Sequence, residues 1–378
     1  MEEKSTPPAT GGVIPLFKVF TSPKAGEALE RVLKSGYLGQ GPEVQRFEEA
    51  LRDFWWGRGE AVTVNSGTSA LDLAYHLCGL RRGDLVLSTP LTCTATNLPL
   101  LHRGVDIEWY DCDPLSGCPH PESVLERAEQ SAPKAIVLVS WGGRDLGPTV
   151  EAVRRGLKRS CPVVVDYAHA GPLPPPLLAD YTCYSFQAIK HLTTGDGGAL
   201  VCADPRDTQR ARLLRWYGLD RTSSTDFRCK QDITDPGFKY HLNDLAAALG
   251  LANLREKPSL AWRWATHVQN AEALFHAVKE IPYLDQPPFD SGGAYWVYPV
   301  LVKPGGVSRE SLLRHLADRG IGAGRVHRRN DTHPCFSGAG DLPGVTHFDD
   351  HSLALPCGWW VGHPELDRIL HALKDFKA

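Results

Sequence analysis

The chain has 378 residues, enough to bury a large core and to form two domains. Lys and Arg total 41 against 44 Asp and Glu, a net charge of -3, so no basic field attracts nucleic acid and small molecules are the expected partners. Ten cysteines are scattered with neither a CxxC pair nor metal-ligand spacing, which reads as reduced core thiols and no metal site.

Residues 1–12 are polar, contain Pro and Gly and have no apolar core, so neither a signal peptide nor a membrane span is expected there or elsewhere, and a cytoplasmic protein is. Gly41-Pro42-Glu43 opens a predicted helix whose Val44, Phe47, Leu51 and Phe54 recur at helical spacing, with proline in the first turn where its missing N–H costs little. From residue 61 to about 201 the pattern alternates. Strands are predicted near 61–64, 84–88, 107–110, 134–139, 162–166, 181–186 and 198–202, with helices near 68–78, 94–102, 121–130 and 149–159. Such alternation implies an α/β fold with a mostly parallel seven-stranded sheet covered on both faces. Residues 171–179, with Pro172 and Pro174-Pro175-Pro176, must form a loop near the Asp166 end of that sheet.

A helical pattern follows Asp244, then a long amphipathic segment over 259–279 that bridges two units. The smaller C-terminal α+β unit has a predicted strand at 295–302, a helix at 308–318 and a closing helix with Leu366, Ile369, Leu370 and Leu373 on one face. This divides the chain into 1–255, an N-terminal arm with the large domain, and 256–378.

Three places carry chemistry. In Asn65-Ser66-Gly67-Thr68-Ser69-Ala70-Leu71 a strand ends and a helix begins, so backbone amides and the Thr68 and Ser69 hydroxyls either hold a phosphate at the helix's positive end or simply cap the helix. The stretch has neither GxGxxG nor a Walker loop, which argues against NAD and ATP. The apolar run Val163-Val164-Val165 delivers Asp166 to the carboxyl end of a buried strand, where α/β folds place ligands. Lys190 follows Tyr184-Ser185-Phe186-Gln187-Ala188-Ile189 and precedes a hydroxyl- and glycine-rich turn through Gly198, the setting of a Schiff-base lysine.

Together these suggest pyridoxal 5'-phosphate (PLP). That cofactor needs an amine to hold its aldehyde, an acid to keep its pyridine nitrogen protonated, and donors for its phosphate. A desolvated lysine loses its proton more readily and can then serve as nucleophile and as acid/base. Ser185 is either a phosphate donor or an inert strand residue, and His169 either a neighbour of the cofactor's phenolic oxygen or a core histidine.

Gly41-Pro42-Glu43-Val44, Ser66-Gly67-Thr68-Ser69-Ala70-Leu71, Asp166-x-Ala168-His169, the stretch Ser185-Phe186-x-x-x-Lys190-x-x-Thr193-x-Gly195-Asp196-Gly197-Gly198 and Ala246-Ala247-Ala248-Leu249-Gly250-Leu251 resemble the DegT-type nucleotide-sugar aminotransferases, in that family's order from about residue 17 onward. The resemblance implies the fold of type I PLP-dependent transferases and a homodimer with shared active sites. It makes Lys190 the lysine that holds the cofactor, Asp166 the pyridinium partner, His169 a neighbour of the phenolic oxygen, and Thr68, Ser69 and Ser185 phosphate ligands.

The sequence departs from the family at three points. Gly237-Phe238-Lys239-Tyr240-His241 stands where relatives carry a phosphate-touching asparagine from the other subunit, so Lys239 either supplies a charge there or is an exposed loop lysine. Cys93 occupies the position of a ring-stacking aromatic. Ser140-Trp141-Gly142-Gly143 stands where many relatives show a histidine followed by a tyrosine and glycine, so Trp141 is either a sugar-facing residue or part of the core.

Arg325-Val326-His327-Arg328-Arg329-Asn330-Asp331 resembles the family's substrate-side segment, so Arg325, His327 and Arg328 either bind substrate, the arginines suiting a nucleotide diphosphate or the donor's carboxylate, or belong to a solvated loop. The implied reaction is ping-pong transamination from L-glutamate to the keto carbon, C4, of a nucleotide-linked keto-deoxy sugar. The alternatives are a sugar dehydratase of the same fold, which replaces the anchoring lysine by histidine, an amino-acid aminotransferase, and a non-catalytic PLP-binding regulator.

Overall fold

The computed structural model describes residues 12–222, 226–255, 259–336, 338 and 340–376. The N-terminal stretch before residue 12, the domain boundary expected at 256 and the side chain of Phe54 lie outside the described residues.

Two helices precede the sheet, α1 (Ala25–Ser35) and α2 (Pro42–Ala50). The seven expected strands then follow as β1 (Ala61–Val64), β2 (Leu85–Ser88), β3 (Asp106–Trp109), β4 (Ala135–Val139), β5 (Val163–Asp166), β6 (Tyr181–Ser185) and β7 (Gly198–Cys202). Interleaved with them are α3 (Gly67–Leu77), α4 (Thr94–Arg103), α5 (Pro121–Ser131) and α6 (Gly147–Gly156). The sheet order is β1-β7-β6-β5-β4-β2-β3.

Only β7 runs against its neighbours, antiparallel to both β1 and β6. The other pairings are parallel. The direction of β7 matters for the site: its amino end, at Gly197-Gly198, lies at the sheet edge where β1, β4, β5 and β6 finish. All five strand ends therefore open onto one place, the edge at which α/β sheets bind ligands.

Both faces of the sheet are covered, as continuous apolar strands require. Val164, Cys183 and Leu200 pack with Leu71 and Ala74 of α3, while Val163, Val165 and Tyr184 belong to the core that also holds Phe47 of α2. After the sheet come α7 (Pro205–Leu214), a short α8 (Phe227–Lys230), α9 (Asp244–Arg255) and the long α10 (Leu260–Val278). Asp244 ties α9 back to the start of α2: its carboxylate accepts from the N–H groups of Gly41 at 2.7 Å and Val44 at 3.2 Å.

The C-terminal unit is a second, three-stranded antiparallel sheet of β8 (Leu284–Asp285), β9 (Tyr298–Val302) and β10 (Ser352–Leu355), in the order β10-β9-β8. With it go α11 (Arg309–Asp318), α12 (Pro343–His351) and α13 (His363–Asp375). Leu312, Leu316, Ile369 and Leu373 share its core with Val300 and Leu353. Ile14, which the division at residue 255 assigns to the first unit, also lies in this core and exchanges backbone hydrogen bonds with Gly320 and Gly322. Conversely, Trp296 and Val297 enter the core of the large sheet. Among the described residues no helix is long and apolar enough to cross a membrane.

Candidate active site

At the shared edge lies a cavity of about 360 Å³, lined among others by Ser66, Gly67, Thr68, Cys93, Asp166, His169, Ser185, Lys190, Trp296 and His327. Residues far apart in sequence meet here because each sits at the end of a different strand or on the turn that follows it.

The α3 N-terminus forms the first wall. Ser66 is its N-cap, accepting from Ser69 N–H at 3.0 Å, and Ala70 N–H is bonded to the Ser66 carbonyl. The first amides of the helix, at Gly67 and Thr68, therefore remain to meet an anion. Close packing makes glycine necessary at 67: a Cβ there would lie 2.9 Å from Cβ of Ser185. Thr68 and Ser185 both line the cavity, as a phosphate site needs. Ser69 does not; it is buried and its hydroxyl donates to Asn65 Oδ1 at 2.6 Å, within the cap.

Register sets Asp166 beside Val139 at the end of β5. It is 5% exposed, accepting from Thr96 Oγ1 at 2.8 Å and from Ala168 N–H at 3.0 Å. Burial pushes its pKa up, against the two donors and the nearby Lys190 charge. Among the described residues no cation is bonded to this carboxylate, so a protonated ring nitrogen in the cavity would remove its burial penalty. On that ground the site fits PLP.

Lys190 faces Asp166 across the cavity. Burial brings its pKa down to about 8, opposed by Asp166 and Cys93. Its Nζ is 3.6 Å from the centroid of the Trp296 ring. His169 packs on the same indole, with centroids 4.0 Å apart, and its Nε2 is 3.2 Å from Nε2 of His327. Burial first, then Lys190, keep both imidazoles from gaining a proton: His169 is held well below its usual value and His327 falls to about 4.

Cys93 does line the cavity, at the N-cap of α4. Three expected substrate residues do not. Trp141 is 4% exposed and packs edge-on against Phe348 at 4.7 Å, because the turn after β4 drives its ring into the core. Arg325 pairs with Asp349, and Arg328 donates to the Thr332 hydroxyl at 2.8 Å and carbonyl at 2.7 Å. Their segment is pinned by the buried Asn330, which donates to the Thr92 and Pro90 carbonyls and accepts from Asn97; of the four expected substrate residues, His327 alone lines the cavity. Lys239 is exposed outside its own chain's cavity, its Nζ 3.7 Å from the Trp216 ring centroid.

Sequence reasoning missed Trp296, Gln187, Thr96 and Asn330. Thr96 left a signal, a hydroxyl one helical turn beyond Thr92, to which it is bonded at 2.7 Å. Trp296 left none, since a tryptophan in an apolar run reads as core.

A model of the DegT/DnrJ/EryC1/StrS aminotransferase family matches residues 22–374. The chain is 30% identical over 376 residues to the spore coat polysaccharide biosynthesis protein SpsC of Bacillus subtilis (strain 168), with 92% of this chain and 93% of that protein covered. Among solved structures, AtS13 from Actinomadura melliaura is 36% identical, with a TM-score of 0.88 over 97% of this chain and 100% of that one. The sugar aminotransferase CalS13 from Micromonospora echinospora is 32% identical, with a TM-score of 0.87 over 96% of this chain and 100% of that one.

Proposed function

The chain belongs to the DegT/DnrJ/EryC1/StrS aminotransferase family and has the fold of type I PLP-dependent transferases, and from that premise we propose that it moves an amino group from L-glutamate to the keto carbon, C4, of a nucleotide-linked keto-deoxy sugar by a ping-pong route. What carries the reading is the single cavity that unites Lys190, Asp166 and the open N-terminus of α3.

PLP, when bound, supplies an aldehyde that holds an amino group and a ring that takes up electrons when the neighbouring carbon loses its proton. Lys190 Nζ holds the aldehyde and moves that proton: with a pKa of about 8 both of its charge states are populated near neutral pH, so one nitrogen can take a proton and return it. The Asp166 carboxylate keeps the ring nitrogen charged, and Thr96 and Ala168 hold that carboxylate in place. Gly67 and Thr68 amides with the Thr68 and Ser185 hydroxyls hold the phosphate, with Gln187 beside them. His169 would neighbour the phenolic oxygen, and His327, from the C-terminal unit, would face the sugar.

In the proposed homodimer, Lys239 of each chain serves the phosphate site of the other, which accounts for its exposure away from its own cavity. A dehydratase is the weaker reading. Lys190 lines the cavity, whereas His191 is buried with its Nε2 3.1 Å from the Ala294 carbonyl.

The test is a half-reaction. Loaded enzyme given L-glutamate alone should release one 2-oxoglutarate per subunit and then aminate a nucleotide-linked 4-keto-6-deoxyhexose added after the glutamate is removed. Release of 2-oxoglutarate only when both substrates are present would refute the ping-pong order. Its absence under all conditions would refute the donor.

A further inference from the structure

Trp296 comes from the C-terminal unit, yet its ring ends in the cavity of the large one. It is 3% exposed and held from four sides. Its backbone N–H donates to the Gly142 carbonyl at 2.9 Å, its indole Nε1–H donates to the Ile189 carbonyl at 2.9 Å, Phe17 stacks on it at 4.5 Å, and His169 packs on it at 4.0 Å. The preceding Tyr295 takes a φ of 49°, a left-handed backbone that costs a tyrosine roughly 1 kcal/mol or more. That turn lets Ala294 and Trp296 both donate to the Gly142-Gly143 turn.

The indole thus grips the peptide next to Lys190 while its face lies 3.6 Å from Lys190 Nζ. We propose that Trp296 is a positioning residue that receives the Lys190 amine whenever the amine is released from the cofactor, holding the ammonium over the indole between the two halves of the reaction. The proposal rests on the reading of Lys190 as the cofactor-bearing lysine. Its physical sense is separation. A freed ammonium buried here needs a counterpart, and the Asp166 carboxylate is engaged by the ring nitrogen when the cofactor is bound. A π face attracts the same cation and leaves the carboxylate alone.

The titratable groups facing Lys190 are Asp166 at the end of β5, Cys93 at the start of α4, His169 and His191 on the turns after β5 and β6, and His327 from the substrate-side segment. Burial keeps the three histidines neutral above pH 6.5, so at neutral pH the Asp166 carboxylate and the indole are what favour the ammonium.

Competitive labelling of cofactor-free protein with a small amine-acylating reagent, read by mass spectrometry at Lys190 from pH 6 to 11, gives the titration midpoint of this amine. Trp296→Leu should lower the midpoint by about one pH unit, a tenfold easier deprotonation. Trp296→Phe, which keeps a ring face but loses the tether to Ile189, should lower it by less. An unchanged midpoint in Trp296→Leu, or a raised one from water entering a wall that only excluded it, overturns the proposal. Should Trp296→Leu fail to fold, an unchanged midpoint in Trp296→Phe overturns it equally. Because the labelling makes no use of the covalent link, a negative result leaves Lys190 as the cofactor lysine, and failure of that link at Lys190 shows separately in a hydride trap.

Discussion

His169 and His327 meet head to head, Nε2 to Nε2, at 3.2 Å. Gly142 N–H donates to Nδ1 of His169 at 3.3 Å, so the neutral His169 ring carries its hydrogen on Nε2 and donates it to His327. A second proton on His327 would set two N–H groups against each other. The contact joining the large unit to the substrate-side segment is therefore sensitive to acid.

That relationship fixes a pH dependence. The unfolded chain binds a proton at His327 near 6.5, whereas the folded chain refuses it until about 4. This contribution to stability is full above about pH 7 and is lost as pH falls through the window from 6.5 to 4. His327→Gln should flatten the decline in urea midpoint between pH 7 and pH 4.5; a decline as steep as in the parent protein would contradict the assignment.

Lys190→Met should stabilise the cofactor-free protein. Folding lowers the Lys190 pKa from 10.5 to about 8, so the penalty for burying its charge is full below about 8 and disappears as pH rises to 10.5. At pH 7 the gain should be on the order of 3 kcal/mol, shrinking toward zero above pH 10.5, as measured by denaturant unfolding. A gain independent of pH would point to packing rather than charge.

Asp166→Asn preserves the side chain's shape and removes its charge. Single turnover with the amino donor should slow about 100-fold or more, the usual loss when one charge-stabilising group is removed from a reacting centre. The cofactor-free variant should be at least as stable as the parent, because the buried charge is gone. An unchanged single-turnover rate would show that Asp166 is not the ring's partner.

Asn330→Ala leaves the Thr92 carbonyl and the Asn97 amide short of a buried partner. The expected cost is about 1–3 kcal/mol in unfolding free energy. The Michaelis constant for the sugar should rise, because this anchor holds His327 at the cavity, while the half-reaction with the donor changes little. Equal loss in both half-reactions would mean that Asn330 supports the fold alone.

Much of this was legible in the chain. The seven strands follow from apolar runs such as Ala135–Val139 and Val163–Asp166, and Lys190, Asp166, Thr68 and Ser185 all line the cavity that those strands create. What escaped notice is instructive. Helix α1 carries Ala25, Ala28, Leu29, Val32 and Leu33 at helical spacing, so its pattern was there to be read, although it buries only Ala25, Ala28 and Val32. Trp141 and Trp296 each lie in a stretch that reads the same either way, and only tertiary packing sends one ring to Phe348 and the other to Lys190. Arg325 and Arg328 suit anions by chemistry, yet Asn330, whose anchoring has no local pattern, leaves them bonded to Asp349 and Thr332.

The most direct measurement reduces the PLP-loaded enzyme with borohydride, digests it and locates the pyridoxyl group by mass spectrometry. The adduct should lie on Nζ of Lys190, at close to one per subunit, and should be absent from Lys190→Met. An adduct on another lysine, or none in fully loaded protein, would contradict the account.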